Sequence, residues 1–260
     1  MADPIITLTT DFGEDSPYVA AMKGVILGIN PSARLVDLSH QISPQDVRHA
    51  AFFLAESIPY FPPEVIHVVV VDPGVGGARA LFYVEIDGHR LLVPDNGCWT
   101  LLPGTSRAVI RLEERKYWRE AISNTFHGRD ILAPVAAHLS LGVDPALLGP
   151  VVDRWERLKI HSPSLLPDGV GGEVLFVDHF GNLITNIPAA QVQRLPTQLV
   201  VDGQACSDFV WGRTYADVEP GRLLALFSSS GFVEVAIARG SAAERLGART
   251  GASVILRWEH

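Results

Sequence analysis

One apolar run, VIHVVVV at residues 65–71, constrains the fold more than any other segment. It is rich in β-branched residues, is too short for a typical helix, and leads directly into Asp72 and a Pro-Gly turn. It lacks the alternation of apolar and polar residues that marks a half-exposed strand, so we expect both of its faces to be buried. Strands of this kind belong to parallel sheets covered by helices, and the run therefore predicts an α/β fold.

Strand-like and helix-like segments alternate around this run through the first part of the chain. Strands are predicted for IITLTT (5–10) and RLVDLS (34–39), for two segments near 80–93 and for one near 108–112; helices are predicted for 16–30, 43–58 and 128–142. The first two helices open with a serine followed by proline, which predicts Ser16 and Ser43 as N-caps. We therefore predict an N-terminal α/β domain, residues 1–165, with a central and mostly parallel sheet.

The pattern changes near residue 165. SPSLLPDGVGG (162–172) is rich in Pro, Gly and Ser and is predicted to be a linker. Short β-like segments separated by glycine-containing turns follow, with short helical pieces near 188–194 and 241–247. This pattern predicts a smaller, mainly antiparallel β domain over residues 166–260.

Composition excludes several classes of protein. The 260 residues are 47% hydrophobic and 19% charged, which is typical of a globular chain. The net charge is −8 and no Lys/Arg-rich block is present, so no nucleic-acid partner is expected. No apolar run is long enough to cross a bilayer, and no signal peptide is evident, so we expect a cytoplasmic protein without membrane contact. Cys98 and Cys206 are far apart, which argues against a disulfide framework or a cysteine-built zinc site.

The turn DPGVGGAR (72–79) does not match either common phosphate-binding loop. A P-loop requires Gly-Lys-Ser/Thr at its end, and a dinucleotide fingerprint requires glycines that open a helix. Here neither lysine nor hydroxyl follows, and the next segment is β-like. Asp72 and Asp11, in TTDFG (9–13), both end predicted strands at the sheet edge where ligands usually bind. Asp11 could accept hydrogen bonds from a ribose diol there; structural turns, with Arg79 a surface residue, are the alternative.

Histidine and the C-terminal turns supply the remaining candidates. His127 lies in FHGRD (126–130) just before a predicted helix, where a lone histidine is more often structural than catalytic. A metal site built from His40, Asp72 and His127 lacks any HExxH or paired-histidine spacing, so no metal is predicted. In VDHFGNLITNI (177–187), a carboxylate, an aromatic ring and an amide occur within five residues, and FSSSGF (227–232) offers hydroxyls before a glycine. Either stretch is also compatible with a plain turn.

Seven short motifs stand in one order along essentially the whole chain: TLTTDFG, DLSHQI, VDPGVGGAR, PDNG, FHGRDI, VDHFGNLITNI and SSSG. Together they resemble the S-adenosyl-L-methionine (SAM) hydrolases, also called SAM hydroxide adenosyltransferases, which are relatives of the SAM-dependent fluorinase and chlorinase. The resemblance implies cleavage of SAM by water to adenosine and L-methionine, with SAM as substrate and no metal or cofactor. It also implies a homotrimer whose sites lie between the N-terminal domain of one subunit and the C-terminal domain of the next.

The resemblance also implies roles for individual residues. Asp72, Arg79 and His127 match the set that positions and activates the water, and Asp11 matches the acid that binds the ribose hydroxyls. Asp178 matches the partner of the methionine ammonium, and Ser229 and Ser230 match positions near the methionine carboxylate. The positions around the adenine are matched by Phe180, Asn182, Tyr215, Arg239 and Ser241.

This reaction explains why the buried strand ends at an acid, Asp72, and why a base, Arg79, follows the turn. In an SN2 attack on C5′ the leaving group departs as a neutral thioether and needs no general acid, but water, with a pKa of about 15.7, is a poor nucleophile. A carboxylate with a cation beside it supplies what water lacks. The charge of Asp72 would also repel a halide ion, so halogenation of SAM is not expected.

Two alternatives remain. One is a non-enzymatic SAM- or adenosine-binding module in which Asp72 and Arg79 form a structural ion pair. The other is a metal-dependent nucleoside or nucleotide hydrolase that uses Asp11, Asp72 and His127.

Overall fold

The structure of the chain, a computed structural model, describes residues 3–206 and 208–259. The chain divides into two compact units between Leu158 and Lys159, and each unit has its own hydrophobic core. No helix within the described ranges is both long enough and apolar enough to cross a membrane.

The first unit is an α/β domain, as the sequence predicts. Its strands are β1 (Ile5–Thr10), β2 (Arg34–Ser39), β3 (Ile66–Val70), β4 (Leu81–Ile86), β5 (His89–Pro94) and β6 (Ser106–Arg111), and its helices are α1 (Tyr18–Ile29), α2 (Val47–Ser57) and α3 (Ala133–Ser140). Its described strands form one sheet in the order β2-β1-β3-β5-β4-β6; the first four strands are parallel to one another, and β4 runs antiparallel to both of its neighbours, β5 and β6. The predicted central, mostly parallel sheet is therefore confirmed.

The apolar run that predicted this fold is the middle of the sheet. Every residue of β3 is buried: the strand pairs with β1 on one side and β5 on the other, and its apolar residues pack into two separate cores, with Val68 and Val70 in one and Val69 in the other. Thr10 at the end of β1 pairs in register with Val70 at the end of β3. The residues that follow these strands, Asp11 and Asp72, therefore emerge at the same edge of the sheet.

The starts of the first two helices differ from the prediction. Ser16 does not cap α1: its hydroxyl donates to the Phe12 carbonyl at 2.8 Å, and Pro17 occupies the N-cap position without a side-chain cap. The second helix begins at Val47, capped by Asp46, whose carboxylate accepts from His49 N at 2.9 Å. Ser43 is not its cap because Gln45, at φ +63°, lies in the left-handed region and interrupts the helical path.

The third predicted helix is confirmed but does not have uniform geometry. A π-helical turn, Gly128–Leu132, leads into α3. Pro134 lies in the first turn of α3, directly after the π-helical turn. Single 3₁₀ turns in the described chain lie at Ile58–Tyr60, Arg115–Tyr117, Pro145–Leu147, Ala189–Gln191 and Tyr215–Asp217.

The second unit is the predicted antiparallel β domain. Its strands are β7 (Ser164–Leu166), β8 (Gly169–Val177), β9 (Leu183–Pro188), β10 (Gln198–Val201), β11 (Gln204–Cys206), β12 (Val210–Trp211), β13 (Leu223–Phe227), β14 (Phe232–Ile237) and β15 (Ser253–Arg257), with one short helix, α4 (Ala242–Leu246). In the described part of this unit these strands run in the order β11-β10-β15-β8-β9-β14-β13-β12, and β7 pairs with β8. The pair β12 and β13 is parallel; the other pairs are antiparallel.

The expected linker is wrong, because residues 164–172 form β7 and the start of β8. The glycines of this segment serve packing rather than flexibility. A Cβ on Gly169 would lie 2.2 Å from the Leu256 carbonyl oxygen, and one on Gly172 would lie 2.3 Å from Asn186 Oδ1. Glycine inside a strand marks such a close approach of backbone or side chain.

A buried histidine makes the stability of the first unit sensitive to acid. His67 in β3 is 1% exposed, and its Nδ1 lies 2.9 Å from Thr7 Oγ1. Burial, together with the neighbouring His89, lowers the pKa of His67 to about 3. In the unfolded chain a histidine has a pKa of about 6.5. As the pH falls below 6.5, His67 becomes protonated in the unfolded chain but stays neutral in the folded protein. The folded state therefore loses stability relative to the unfolded state as the pH falls from about 6.5 to about 3.

We therefore expect the free energy of unfolding to fall by about 1.4 kcal/mol per pH unit on account of His67 between pH 6 and pH 4. Urea unfolding of the wild type and of His67→Gln across this range measures the difference in slope. The exposed His179→Gln variant is the matched control and keeps the wild-type slope. Equal slopes in the wild type and in His67→Gln would show that His67 is not the group responsible.

Candidate active site

The glycine-rich segment after β3 folds into a tight turn. Val75 N donates to the Asp72 carbonyl at 3.2 Å, and Gly77 N donates to the Gly74 carbonyl at 3.0 Å. Gly76 has φ +78°, and a Cβ there would lie 2.3 Å from the Asn124 carbonyl oxygen. The turn therefore requires glycine at this position, both for its backbone angle and for the close approach of another loop.

This turn brings the side chain of Arg79 into contact with the carboxylate of Asp72. Arg79 Nε lies 3.1 Å from Asp72 Oδ1 and 2.9 Å from Oδ2, and its Nη2 also donates to Oδ2. The same Nη2 lies 2.9 Å from Nδ1 of His127. The side chains of Asp72 and Arg79 are only 6% and 11% exposed. The structure thus brings the three residues predicted to act on water into one partly buried group, with the guanidinium in the middle.

The position of Arg79 determines which nitrogen of His127 carries the proton. A guanidinium has donors only, so Nδ1 of His127 acts as the acceptor in this contact. Burial, and the positive charge of Arg79, lower the pKa of His127 below its ordinary value, and both effects favour the neutral ring. The proton of the neutral imidazole then resides on Nε2, which makes that atom a hydrogen-bond donor. A cavity of about 500 Å³ adjoins Arg79 and His127 and offers room for water beside them.

Asp11 is held at the sheet edge by a backbone contact. Its Oδ2 accepts a hydrogen bond from Gln45 N at 2.8 Å, and Gln45 itself has a left-handed conformation. Next to Asp11, the hydroxyl of Thr10 lies 3.0 Å from His40 Nδ1. The carboxylate is therefore oriented in advance, which reduces the entropy lost when it binds a ligand.

The second unit contains a cavity of about 500 Å³ that collects five of its eight predicted residues. Asp178, Phe180, Asn182, Tyr215 and Arg239 line it, together with Ile237 and Gly240. Two aromatic rings flank the opening, with Phe180 74% and Tyr215 45% exposed. Exposed aromatic rings beside a carboxylate and an amide are suited to a planar heterocycle that bears polar edge groups.

Asp178 fulfils the turn interpretation and also lines the cavity. Its Oδ1 accepts from Phe180 N at 2.9 Å and from Asn182 N at 2.8 Å, and its Oδ2 accepts from Asn182 Nδ2 at 2.9 Å. These bonds are those of an aspartate that organises a turn. The carboxylate is thereby fixed in place, so the side chain of Asn182 and the backbone carrying Phe180 are positioned by the same group.

Sequence reasoning missed Glu234, which is bonded to Tyr215 of the cavity lining. Tyr215 Oη donates to Glu234 Oε1 at 2.6 Å, and Glu234 is 3% exposed. Burial raises the pKa of Glu234, and burial together with this hydrogen bond raises the pKa of Tyr215. The only signal in the sequence is an acidic residue in the apolar strand segment FVEVAIA. A buried acid requires a partner, and Tyr215 is that partner.

The three predicted serines are not among the described residues that line this cavity. Ser229 and Ser230 lie in the turn between β13 and β14, where the Ser230 hydroxyl lies 2.8 Å from that of Ser228. Ser241 caps α4, and its hydroxyl accepts from Glu244 N at 3.1 Å. The ligand roles of these serines remain predictions.

No group of three or more His, Cys, Asp or Glu side chains in residues 3–206 and 208–259 is arranged to hold a metal ion. His40, which the metal alternative used, contacts Thr10 through Nδ1, and its Nε2 lies 3.0 Å from Asp37 Oδ1. His179 packs its ring against Phe180, with the ring centroids 5.7 Å apart.

Comparison with known proteins places this fold and site in one class. Residues 6–149 match the model of the SAM hydroxide adenosyltransferase N-terminal domain, and residues 172–255 match that of the C-terminal domain. These matches cover both units, and the chain belongs to the SAM hydroxide adenosyltransferase family. The resemblance seen in the seven motifs is therefore confirmed.

Individual relatives agree with this assignment. The chain is 41% identical over 253 residues to the (R)-S-adenosyl-L-methionine hydrolase of Salinispora tropica, with 95% of each chain covered. A more distant relative, the fluorinase of an Actinoplanes species, is 26% identical over 285 residues, with 92% of each chain covered. The crystal structure of a conserved protein from Thermotoga maritima superposes with a TM-score of 0.90 at 34% identity, covering 97% of this chain and 99% of that one.

Proposed function

We propose that the protein hydrolyses SAM at the ribose C5′ to give adenosine and L-methionine. The observation that carries this proposal is the partly buried group in which Arg79 donates to both Asp72 and His127. Relatives that are 38–41% identical over most of the chain are named (R)-S-adenosyl-L-methionine hydrolases, which supports the same substrate and reaction here.

In the proposed reaction the water oxygen attacks C5′ in line with the C5′–S bond. That bond breaks, sulfur keeps the electron pair as a neutral thioether, and the proton of the attacking water passes to a protein carboxylate. Asp72 is suited to receive it, because Oδ1 accepts a single bond from Arg79 and keeps capacity for a water O–H. Arg79 offsets the negative charge that develops on the water, and His127 can donate from Nε2. Since the leaving group is neutral, the chemistry requires no metal or cofactor.

The remaining residues would bind the substrate. Asp11 would accept hydrogen bonds from the ribose diol at the sheet edge. In the second unit, the cavity would hold the methionine ammonium against Asp178 and the adenine beside Phe180, Asn182, Tyr215 and Arg239, with Ser241 next to it. Ser229 and Ser230 would meet the methionine carboxylate from the neighbouring turn.

We further propose a homotrimer that completes each site with residues of two subunits. The water-activating and ribose residues belong to the first unit and the methionine and adenine residues to the second, so the two sets need not come from one chain. We also propose a cytoplasmic location, which the free and buried state of Cys98 and Cys206 supports.

Sharing of sites between subunits predicts complementation. Asp72→Ala and Asp178→Ala variants should each be inactive, and mixing them under conditions that exchange subunits should restore part of the activity, because some mixed sites combine two intact halves. Mass spectrometry of differently tagged chains verifies exchange. Verified exchange without any recovery would place both halves of each site in one chain.

The proposed activity itself is tested by incubating the pure protein with SAM and separating the products by chromatography. Stoichiometric release of adenosine and methionine that survives exhaustive chelation is the expected result. Loss of activity on chelation, restored by a divalent ion, would indicate the metal-dependent alternative. Tight SAM binding without product would instead indicate a binding module.

A further inference from the structure

Asp130 lies three residues after His127, and its carboxylate accepts four hydrogen bonds. It is 0% exposed, and its carboxylate accepts from Arg119 Nη1 at 2.8 Å, from Arg129 Nε at 2.7 Å, and from Ser123 N at 2.8 Å. Arg129 Nη2 donates a further bond to Oδ2 at 2.9 Å. These bonds outweigh the effect of burial and lower the pKa of Asp130 to about 2, so it is charged near neutral pH.

The contacts of this one residue close the segment 119–130 on itself. Besides its carboxylate bonds to Arg119 and Ser123, the Asp130 carbonyl accepts from Arg119 N at 2.9 Å, and the Asp130 amide donates to the Phe126 carbonyl at 3.1 Å. The beginning, middle and end of the segment are therefore tied to the same residue. Loops whose ends meet in this way hold their shape by their internal contacts.

Segment 119–130 contains His127, which contacts Arg79. Phe126, next to His127, is also fixed in place: the Arg129 guanidinium, which Asp130 binds, lies 4.8 Å from the centroid of the Phe126 ring. Phe126 in turn packs against Phe12, with the ring centroids 5.8 Å apart. Asp130 does not contact Asp72 or Arg79 in any described hydrogen bond. It acts on the site through His127, whose segment it holds and whose pKa its negative charge raises against the larger effects of burial and Arg79.

We propose that Asp130 is a positioning residue for the water-activating group: its buried carboxylate holds segment 119–130 in the shape that keeps His127 Nδ1 on Arg79. This inference rests on the proposed function, because the consequence for catalysis is a consequence for SAM hydrolysis. The geometric part of the proposal, that Asp130 sets the position of His127, does not depend on which reaction the protein catalyses.

Asp130→Asn tests the proposal. The variant keeps the size of the side chain, but its amide group presents donors to two arginines that are themselves donors, which opens the segment. A misplacement of about 1 Å can lower a rate by about 100-fold, so we expect kcat for SAM hydrolysis to fall by about 10- to 100-fold. We expect KM to change much less, because the residues assigned to substrate binding lie elsewhere. The matched control is Asp144→Asn. The Asp144 carboxylate lies in the same unit and accepts from Ala146 N at 3.0 Å, outside segment 119–130. This variant should retain wild-type kcat.

A second readout does not depend on the reaction. In ¹⁵N NMR spectra of the histidine side chains, His127 of the wild type should show one neutral tautomer with its proton on Nε2, and Asp130→Asn should show a mixture of states. If Asp130→Asn does not fold, Arg119→Met removes one partner only and should show the same change to a smaller extent. Unchanged kcat and unchanged His127 signals in a folded variant would overturn the proposal. A wild type that leaves SAM intact, with His127 still disturbed by Asp130→Asn, would instead refute only the proposed function.

Discussion

Asp72→Asn is expected to lower kcat for SAM hydrolysis by about two to four orders of magnitude, the usual size of general-base assistance. Asparagine keeps the shape of the side chain and one acceptor oxygen, but it loses the proton acceptor and the charge that orients Arg79. The dissociation constant for SAM should change much less, because ribose, adenine and methionine are held by other residues. Single-turnover kinetics, with SAM binding measured separately by calorimetry, distinguish the two effects.

The coupling between Asp72 and Arg79 supplies the control. Arg79→Ala should also lower kcat, and the double variant should lose less than the sum of the two single losses, because both residues act on one water and bond to each other. Thermal unfolding should accompany these measurements, since the pair is buried and removing one partner leaves the other without compensation. A folded Asp72→Asn enzyme with nearly wild-type kcat would mean that the Asp-Pro-Gly turn is purely structural.

Asp11→Ala is expected to weaken SAM binding by about 10- to 150-fold. A buried, charge-assisted hydrogen bond contributes about 1.5–3 kcal/mol, and each 1.4 kcal/mol corresponds to about tenfold in affinity. Titration calorimetry in an Asp72→Asn background, where SAM is turned over slowly, measures the effect. Adenosine affinity should fall by a similar factor, because the ribose diol is common to both ligands.

The structure suggests a sharper comparison at the same position. The Asp11 carboxylate also accepts from Gln45 N, so alanine removes a local backbone contact as well as a ligand contact. Asp11→Asn can keep the bond to Gln45 through its carbonyl oxygen while losing the charge. An affinity close to wild type in both variants would contradict the ribose assignment; a loss in Ala alone would assign the effect to the Gln45 contact.

Much of the first unit followed from residue patterns. The run at 65–71 is apolar on both faces, and it forms the buried middle strand of the predicted sheet. The ends of β1 and β3 meet at one edge of the sheet because the two strands are parallel neighbours, and Asp11 and Asp72 follow them there, as predicted. The helix starts were predicted less well. Ser43-Pro44 has the composition of a cap, but Gln45 has a left-handed conformation, and Asp46 is the cap.

The second unit shows where composition misleads. Gly169 and Gly172 belong to a stretch with the composition of a linker, yet they lie in a paired strand because neighbouring atoms leave no room for a side chain. Glu234 was overlooked for a related reason. Its partner Tyr215 is 19 positions away in the chain, and only the pairing of strands brings the two together.

What the sequence by itself determined is the α/β class, the sheet edge that carries Asp11 and Asp72, and the family, because strand burial, strand ends and motif order are local or sequential properties. The tertiary structure alone decided that Arg79 bridges Asp72 and His127, that Asp130 closes the segment holding His127, and that the locally formed turn of Asp178 lines a cavity with Tyr215 and Arg239. The contact between Arg79 and His127 joins side chains that lie 48 positions apart in the chain and meet within hydrogen-bonding distance. Contacts of that kind are set by packing and by the need to pair buried charges, which no local pattern encodes.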